Sequence, residues 1–280
     1  MTLCLMTVHA HPDDEVFLTG GILARYAAEG VRTVLVTCTD GAVGEIVDPT
    51  AATPENLAEV REGELRAACA ILGVRDLYLL GYRDSGMAGT PENADPRSFN
   101  QADLGEATGR LVEIIRRCQP QVLVTYTSDG GYGHPDHIRA HQITVAAFDA
   151  AADPNRYPQQ GLQPWAPAKL YYGIWTRSSF ERLLNGLREA GLPPPWEIAE
   201  GETPGAPDEM VTAAIDVSAY VPLKIRAMQA HRTQIPADSP FLRMPPELAQ
   251  EIYRIETFQL AQSRIETAPH ETDLFAGLRV

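Results

Sequence analysis

The sequence predicts an α/β fold: a Rossmann-like, mainly parallel sheet with helices on both faces and additions at the C-terminal end. Three observations predict it. Strand-like apolar runs alternate with helix-period segments from the first residues onward. Those runs are apolar almost throughout, as strands buried on both faces must be. The polar residues capable of chemistry follow the strands, with HAHPDDE after the first, TDGAVGE after the second, GYRDSG after the third and TSDGGYGHPDH after the fourth. Right-handed crossovers bring the C-terminal ends of parallel strands to one edge, where such sheets bind ligands.

In order, Leu3–Val8 reads as the first strand, Phe17–Glu29 as a helix stopped by Gly30, and the β-branched run Thr33–Thr37 as the second strand. Glu55–Leu72 has helical periodicity (Leu57, Val60, Leu65, Ala68, Leu72) and stops at Gly73. Leu77–Leu80 is a third strand, Leu104–Cys118 a helix burying Leu111, Val112, Ile114 and Ile115, and Val122–Tyr126 a fourth strand, followed by a helix from Pro135 to about Ala152. Beyond it the pattern loosens. Asp153–Pro167 reads as a loop, Lys169–Trp175 as a strand and Ser178–Ala190 as a helix. The Pro- and Gly-rich stretch Leu192–Asp208 reads as a long loop or flap. Val211–Val217 is strand-like, and Tyr220–His231 reads as a helix with Ser218 as its candidate cap. There is no internal repeat. We expect one catalytic domain over residues 1–280, with a core at 1–152 that carries the site and an extension at 153–280 that shapes a substrate pocket.

Composition narrows the function. The 280 residues are 44% hydrophobic, ordinary for a globular protein, with no apolar run long enough for a membrane helix. Met1–Val8 lacks a basic n-region and runs directly into polar residues, which fits a strand better than a signal peptide and points to the cytoplasm. A formal net charge of -14 disfavours general binding to nucleic acid or anionic membrane. Cys4, Cys38, Cys69 and Cys118 are far apart with no CxxC pair, so reduced thiols are expected. A homo-oligomer is compatible with the sequence.

Two constellations carry chemistry. In His9-Ala10-His11-Pro12-Asp13-Asp14-Glu15, two histidines and three carboxylates sit within seven residues directly after a strand. Imidazole and carboxylate suit zinc and related divalent ions. Metal-assisted hydrolysis also needs a carboxylate that is not a ligand to accept a proton from water, and the neighbours Asp13 and Asp14 can divide those roles. An acidic helix N-terminus would account for the carboxylates but not for the histidines. The second constellation, Asp129-Gly130-Gly131-Tyr132-Gly133-His134-Pro135-Asp136-His137, again joins a strand to a helix, with glycines for a tight loop and Pro135 at the first turn. His134 and His137, three apart at a helix start, can face the same rim. His137 and His141 have HxxxH spacing, but the glutamate of HExxH is missing. Glu45, in the loop after the second strand, and His231, after an amphipathic helix, are further candidates for substrate contact. His9 reads as structural or as a residue supporting the ligands, and His141 as packing behind the site.

HPDDE paired with GHPDH resembles the PIG-L/LmbE family of zinc-dependent N-deacetylases. Arg61-Glu62-Gly63-Glu64-Leu65, Tyr82-Arg83-Asp84-Ser85-Gly86-Met87, Gly130-Gly131-Tyr132-Gly133 and Ala230-His231-Arg232-Thr233-Gln234 resemble stretches of its mycothiol-pathway branch. The resemblance spans most of the chain to about Gln234 and is weakest in the Pro-rich loop and the tail. It implies His11, Asp14 and His137 as ligands of one Zn2+, with other divalent metals able to occupy such a site. It implies Asp13 as the general base, His134 as a group that stabilises the oxyanion or protonates the leaving amine, and Tyr132 as a group polarising the carbonyl. By the same resemblance Arg61 and Asp84 hold sugar hydroxyls. The expected activity is hydrolysis of the N-acetyl group of an N-acetylglucosaminide such as N-acetylglucosaminyl-inositol. Amidase action on mycothiol S-conjugates and deacetylation in a bacillithiol pathway or of chito-oligosaccharides stand as alternatives. A non-catalytic sugar- or nucleotide-binding module fits less well: no GxGxxG follows the first strand, and carboxylates in that turn would repel a pyrophosphate.

Overall fold

A computed structural model describes residues 2–196 and 204–279. Part of the flap expected over Leu192–Asp208, residues 197–203, lies outside the described residues. The first half alternates as expected, through β1 (Cys4–His9), α1 (Asp14–Leu18), α2 (Gly20–Ala28), β2 (Arg32–Thr39), α3 (Leu57–Leu72), β3 (Asp76–Tyr82), α4 (Leu104–Cys118), β4 (Val122–Thr125) and α5 (Pro135–Ala150). The second half adds β5 (Lys169–Ile174), α6 (Arg177–Glu189), β6 (Ala213–Asp216), α7 (Val221–Ala230), α8 (Pro240–Arg243), α9 (Pro246–Tyr253) and β7 (Ile255–Ser263).

The seven strands form one sheet in the order β3-β2-β1-β4-β5-β7-β6. Strands β1 to β5 are parallel, and β7 runs antiparallel between β5 and β6. Period-two alternation divides the strand side chains between two apolar layers. Leu5, Val122, Val124 and Tyr171 pack on one face with α2, α3 and α7. Met6, Val8, Leu123 and Leu170 pack on the other with α4 and α5. The chain runs outward from β1 to β2 and β3, then returns to add β4 and β5 on the other side of β1. The topological switch point therefore lies between the C-terminal ends of β1 and β4, and both His-Pro-Asp turns emerge there.

Several local expectations need correction. The helix expected over Phe17–Glu29 is two helices, starting at Asp14 and broken at Thr19. Thr19 leaves helical geometry with its hydroxyl 2.8 Å from His9 Nε2. The N–H groups of Gly21 and Ile22, at the start of α2, donate to the Glu256 carboxylate, each at 2.8 Å. Gly21 is needed there, because a Cβ would lie 2.5 Å from Val217. Ser218 makes no side-chain cap and instead opens a 3-10 turn, Ser218–Tyr220, before α7. Beyond His231, where the sequence reading assigned no element, the chain forms α8, α9 and β7. The described cysteines are buried and unbridged, and no described helix is long and apolar enough to cross a membrane.

Candidate active site

Strand β1 delivers His11, Pro12, Asp13 and Asp14 to the switch point, and α5 presents His134 and His137 from the neighbouring turn. Tyr126, just past β4, ties the two turns together. Its hydroxyl donates to Asp14 Oδ2 at 2.8 Å and accepts the Ala10 N–H at 2.8 Å, while its ring stacks on His137 at 4.2 Å.

Hydrogen bonds settle which nitrogen carries the proton in His137 and His134. His137 Nδ1 lies 3.1 Å from the Gly130 carbonyl, which only accepts, so Nδ1 carries the proton and Nε2 the lone pair. That Nε2 is 3.3 Å from Asp14 Oδ1. His11 has carboxylates at both nitrogens, Asp136 3.2 Å from Nε2 and Asp14 Oδ2 3.4 Å from Nδ1, and against burial these carboxylates hold the imidazole well above its usual range. His134 caps α5, and its Nδ1 accepts the Asp136 N–H at 3.1 Å, so in the neutral ring Nε2 carries the proton.

The donor set fits a divalent metal. Nitrogens of His11, His134 and His137 lie within 4.8 Å of one another, as do donor atoms of His11, Asp84, His134 and Asp136. His134 Nδ1 is occupied by the helix N-terminus, whereas Asp14 lies between His11 Nδ1 and His137 Nε2 with one carboxylate oxygen towards each. Asp14 Oδ2 is 3.4 Å from His11 Nδ1 and Asp14 Oδ1 is 3.3 Å from His137 Nε2, near enough for one ion to draw on the three side chains. Asp136, fully buried, stands where a carboxylate behind a ligating histidine would stand. It accepts from the Ser85 N–H at 2.9 Å and from the Ser85 hydroxyl while facing His11.

Asp13 has a different environment. Arg61 lies 3.2 Å from its Oδ1. Burial nevertheless pushes its carboxyl up to about 6, against the pull of Arg61. For Asp14 burial acts in the same direction, but His137 and His11 prevail and hold it well below the usual carboxylate range. Adjacent carboxylates are thus driven apart, one kept ionised beside the imidazoles and one able to exchange a proton near neutrality. Burial, then the proximity of His11 and His137, lowers His134 to about 4, which keeps it neutral. Tyr132, though 65% exposed, turns its hydroxyl to within 3.5 Å of His137 Nε2.

The four residues expected to contact substrate are placed differently. Glu45 is exposed on the loop after β2, its carbonyl accepting from Gln234 Nε2 at 3.0 Å. Asp84 is 3.5 Å from His11 and accepts the Val43 and Gly86 N–H groups. Arg61 is buried, donating to the carbonyls of Gly41 at 2.8 Å and Pro12 at 2.6 Å. His231 is fully buried, with Nε2 2.6 Å from Glu15 Oε1, so it faces Glu15 and not the open rim. His9 is buried against Thr19 and Tyr126, and His141 bonds the Tyr126 carbonyl at 2.9 Å. Sequence reasoning passed over Asp136, Ser85, Tyr126 and Glu15. Asp136, Glu15 and Ser85 sit inside the quoted motifs and were legible there, whereas nothing in the sequence singles out Tyr126.

Fold and site together define an α/β enzyme with a metal-capable histidine–carboxylate centre and a separate titratable carboxylate beside it. The chain belongs to the PIG-L family, described as GlcNAc-PI de-N-acetylase, whose model matches residues 6–148. It is 45% identical over 287 residues to a 1D-myo-inositol 2-acetamido-2-deoxy-alpha-D-glucopyranoside deacetylase of Geodermatophilus obscurus, covering 98% of this chain and 97% of that one. The fold is also that of N,N'-diacetylchitobiose deacetylase from Pyrococcus horikoshii, with TM-score 0.64, 21% identity and 92% of this chain and 83% of that one covered. A 4-carboxy-2-hydroxymuconate hydratase from Pseudomonas putida shares the fold too, with TM-score 0.61, 18% identity and 95% of this chain and 99% of that one covered. The architecture alone therefore does not fix the reaction.

Proposed function

We propose that this chain removes the N-acetyl group from 1D-myo-inositol 2-acetamido-2-deoxy-α-D-glucopyranoside, acting as one catalytic unit with one Zn2+ held by His11, Asp14 and His137. The observation that carries the reading is the placement of Asp14 against His11 and His137 and of Asp13 against Arg61, joined to 45% identity over nearly the whole length of a relative bearing that name. When bound, the ion would supply Lewis acidity to the acyl carbonyl and to the attacking water. Asp13 accepts the proton from that water as it attacks the carbonyl carbon. The acyl oxygen gains negative charge, and His134, neutral with its proton on Nε2, donates a hydrogen bond to it; the Tyr132 hydroxyl is a second donor at the same opening. Protonated Asp13 then returns its proton to the nitrogen as the C–N bond breaks, releasing acetate and free amine. With its imidazole neutral, His134 has no acidic proton to give the leaving amine, so that proton comes from Asp13.

Glu45 is the substrate-facing candidate with an exposed side chain. Asp84 and Arg61 are buried and hold the loops beside His11 and Asp13, so they act on substrate through those loops. A small polar substrate fits this acidic, hydrogen-bonding rim. The test is a comparison of kcat/KM, by amine release, for the glucosaminyl-inositol substrate, N,N'-diacetylchitobiose and a thiol-conjugate amide of the same amino sugar. The reading expects the first to lead by at least about tenfold, a difference of about 1.4 kcal/mol in transition-state stabilisation. A lead by either of the others would reassign the substrate while keeping the hydrolase.

A further inference from the structure

A chain of buried polar groups runs from Asp13 into the C-terminal half of the molecule. Asp13 has φ 121° and ψ -26°, a conformation that a non-glycine residue keeps only when its surroundings over-determine it. Two braces do so. On one side Arg61 donates to the Pro12 and Gly41 carbonyls and pairs with Asp13 Oδ1. Gly41 leaves the space for this, since a Cβ there would lie 2.6 Å from the guanidinium. On the other side the Asp13 N–H donates to Glu15 Oε2 at 3.0 Å, and Glu15 Oε1 is 2.6 Å from His231 Nε2. Glu15 and His231 are both fully buried. His231 Nδ1 has no partner, so among the described residues Glu15 is the ring's one polar attachment.

The far end of this chain is anchored firmly. His231 closes α7, and Thr233, two residues on, bonds Glu64 of α3 through its N–H at 2.9 Å and its hydroxyl at 2.6 Å. The Thr233 carbonyl accepts the Val47 N–H at 3.0 Å, fastening the same turn to the loop after β2.

We propose that His231 is a positioning residue for the deacetylation, holding the Asp13 backbone in its strained conformation through Glu15 and so aiming the Asp13 carboxylate. This rests on the reading of Asp13 as the base. Burying an imidazole and a carboxyl costs free energy unless their hydrogen bonds do something apolar packing cannot. Here they end on the one residue of the turn with positive φ. The same burial keeps His231 out of direct contact with substrate.

The test compares His231→Leu, His231→Asn and His231→Gln with Asp13→Asn in the metal-loaded protein. The Gln amide reaches the position of Nε2, whereas the shorter Asn does not. His231→Leu should lower kcat by about 10- to 100-fold, the scale of a small misplacement of a reacting group. KM should stay within about twofold and bound metal at the wild-type ratio, with His231→Gln recovering most of kcat. If His231→Leu does not fold, His231→Asn carries the same contrast with His231→Gln. Wild-type kcat in Leu and Asn, equal impairment in Gln, a loss carried by KM, or a loss matched by missing metal would each overturn the proposal. Asp13→Asn at the wild-type rate would remove the base itself. Asp13→Asn inactive beside an unimpaired His231→Leu would remove only the brace.

Discussion

Asp13 and Asp14 have the same side chain on adjacent residues, and their surroundings give them opposite tendencies. Asp14 is drawn into the imidazole pair and the Tyr126 hydroxyl, whereas burial raises Asp13 to about 6. A raised carboxyl means that the folded chain holds its proton more tightly than the unfolded chain between about pH 4 and pH 6, so stability falls as pH climbs through that window and stays lowered above it. Metal-free Asp13→Asn should therefore gain about 1–3 kcal/mol over wild type near pH 8 by chemical denaturation, with the gain shrinking near pH 4. A gain equal at both pH values would contradict the burial of that charge. The donors at the opening give a second prediction. Tyr132→Phe should lower kcat by about 100- to 1,000-fold while leaving metal content intact, the range seen for loss of one oxyanion donor. Unchanged kcat would take Tyr132 out of the reaction. At this scale the sequence was informative for a physical reason: chemistry needs unusual residue types close together, and HPDDE and GHPDH display them. It was uninformative about Arg61 and His231, because a candidate sugar ligand and a buried brace look the same until burial is known.

At the scale of elements, each proposed ligand depends on the turn that carries it. Gly130 has φ 70° and its carbonyl fixes the His137 tautomer; a Cβ there would lie 2.6 Å from the His137 Cβ. Gly130→Ala should displace the ring and weaken metal affinity by about 10- to 100-fold, measured by competition with a chelator. Affinity equal to wild type would show that this turn does not set the ligand. The parallel strands and α3 to α5 were legible because apolar period and capping agree, as at Gly73, which ends α3 at φ 73°. The break at Thr19 was not, since it comes from His9 and Glu256, residues distant in sequence or on another strand. The strand β7 was hidden for a related reason. Its residues are mostly half-buried, so Ile255–Ser263 mixes polar and apolar side chains and lacks the continuous apolar signal of the inner strands.

Across the whole molecule, the C-terminal half completes the sheet and is held by two buried ion pairs. Lys224 meets Glu256 at 2.6 Å behind α1, and Lys169 meets Glu271 at 2.6 Å beside Tyr171. Removing one partner strands the other charge in the interior. Glu271→Ala should cost about 3–5 kcal/mol of stability in denaturant unfolding, and a cost below about 1 kcal/mol would mean that Lys169 finds another partner. The His231–Glu15 contact ties this half to the Asp13 turn as well, although among the described residues the metal-capable group comes from the first 137 positions. The central claim is metal-dependent deacetylation with Asp13 as the base, and the most direct measurement is amine release from 1D-myo-inositol 2-acetamido-2-deoxy-α-D-glucopyranoside. It would be made with protein stripped by chelator and then reloaded with Zn2+, in wild type and in Asp13→Asn. The account predicts that wild-type turnover vanishes and returns with the metal, while Asp13→Asn binds the metal and stays slower by at least about 100-fold, the usual scale of general acid–base catalysis. Turnover that survives stripping, or a reloaded Asp13→Asn at the wild-type rate, would contradict it.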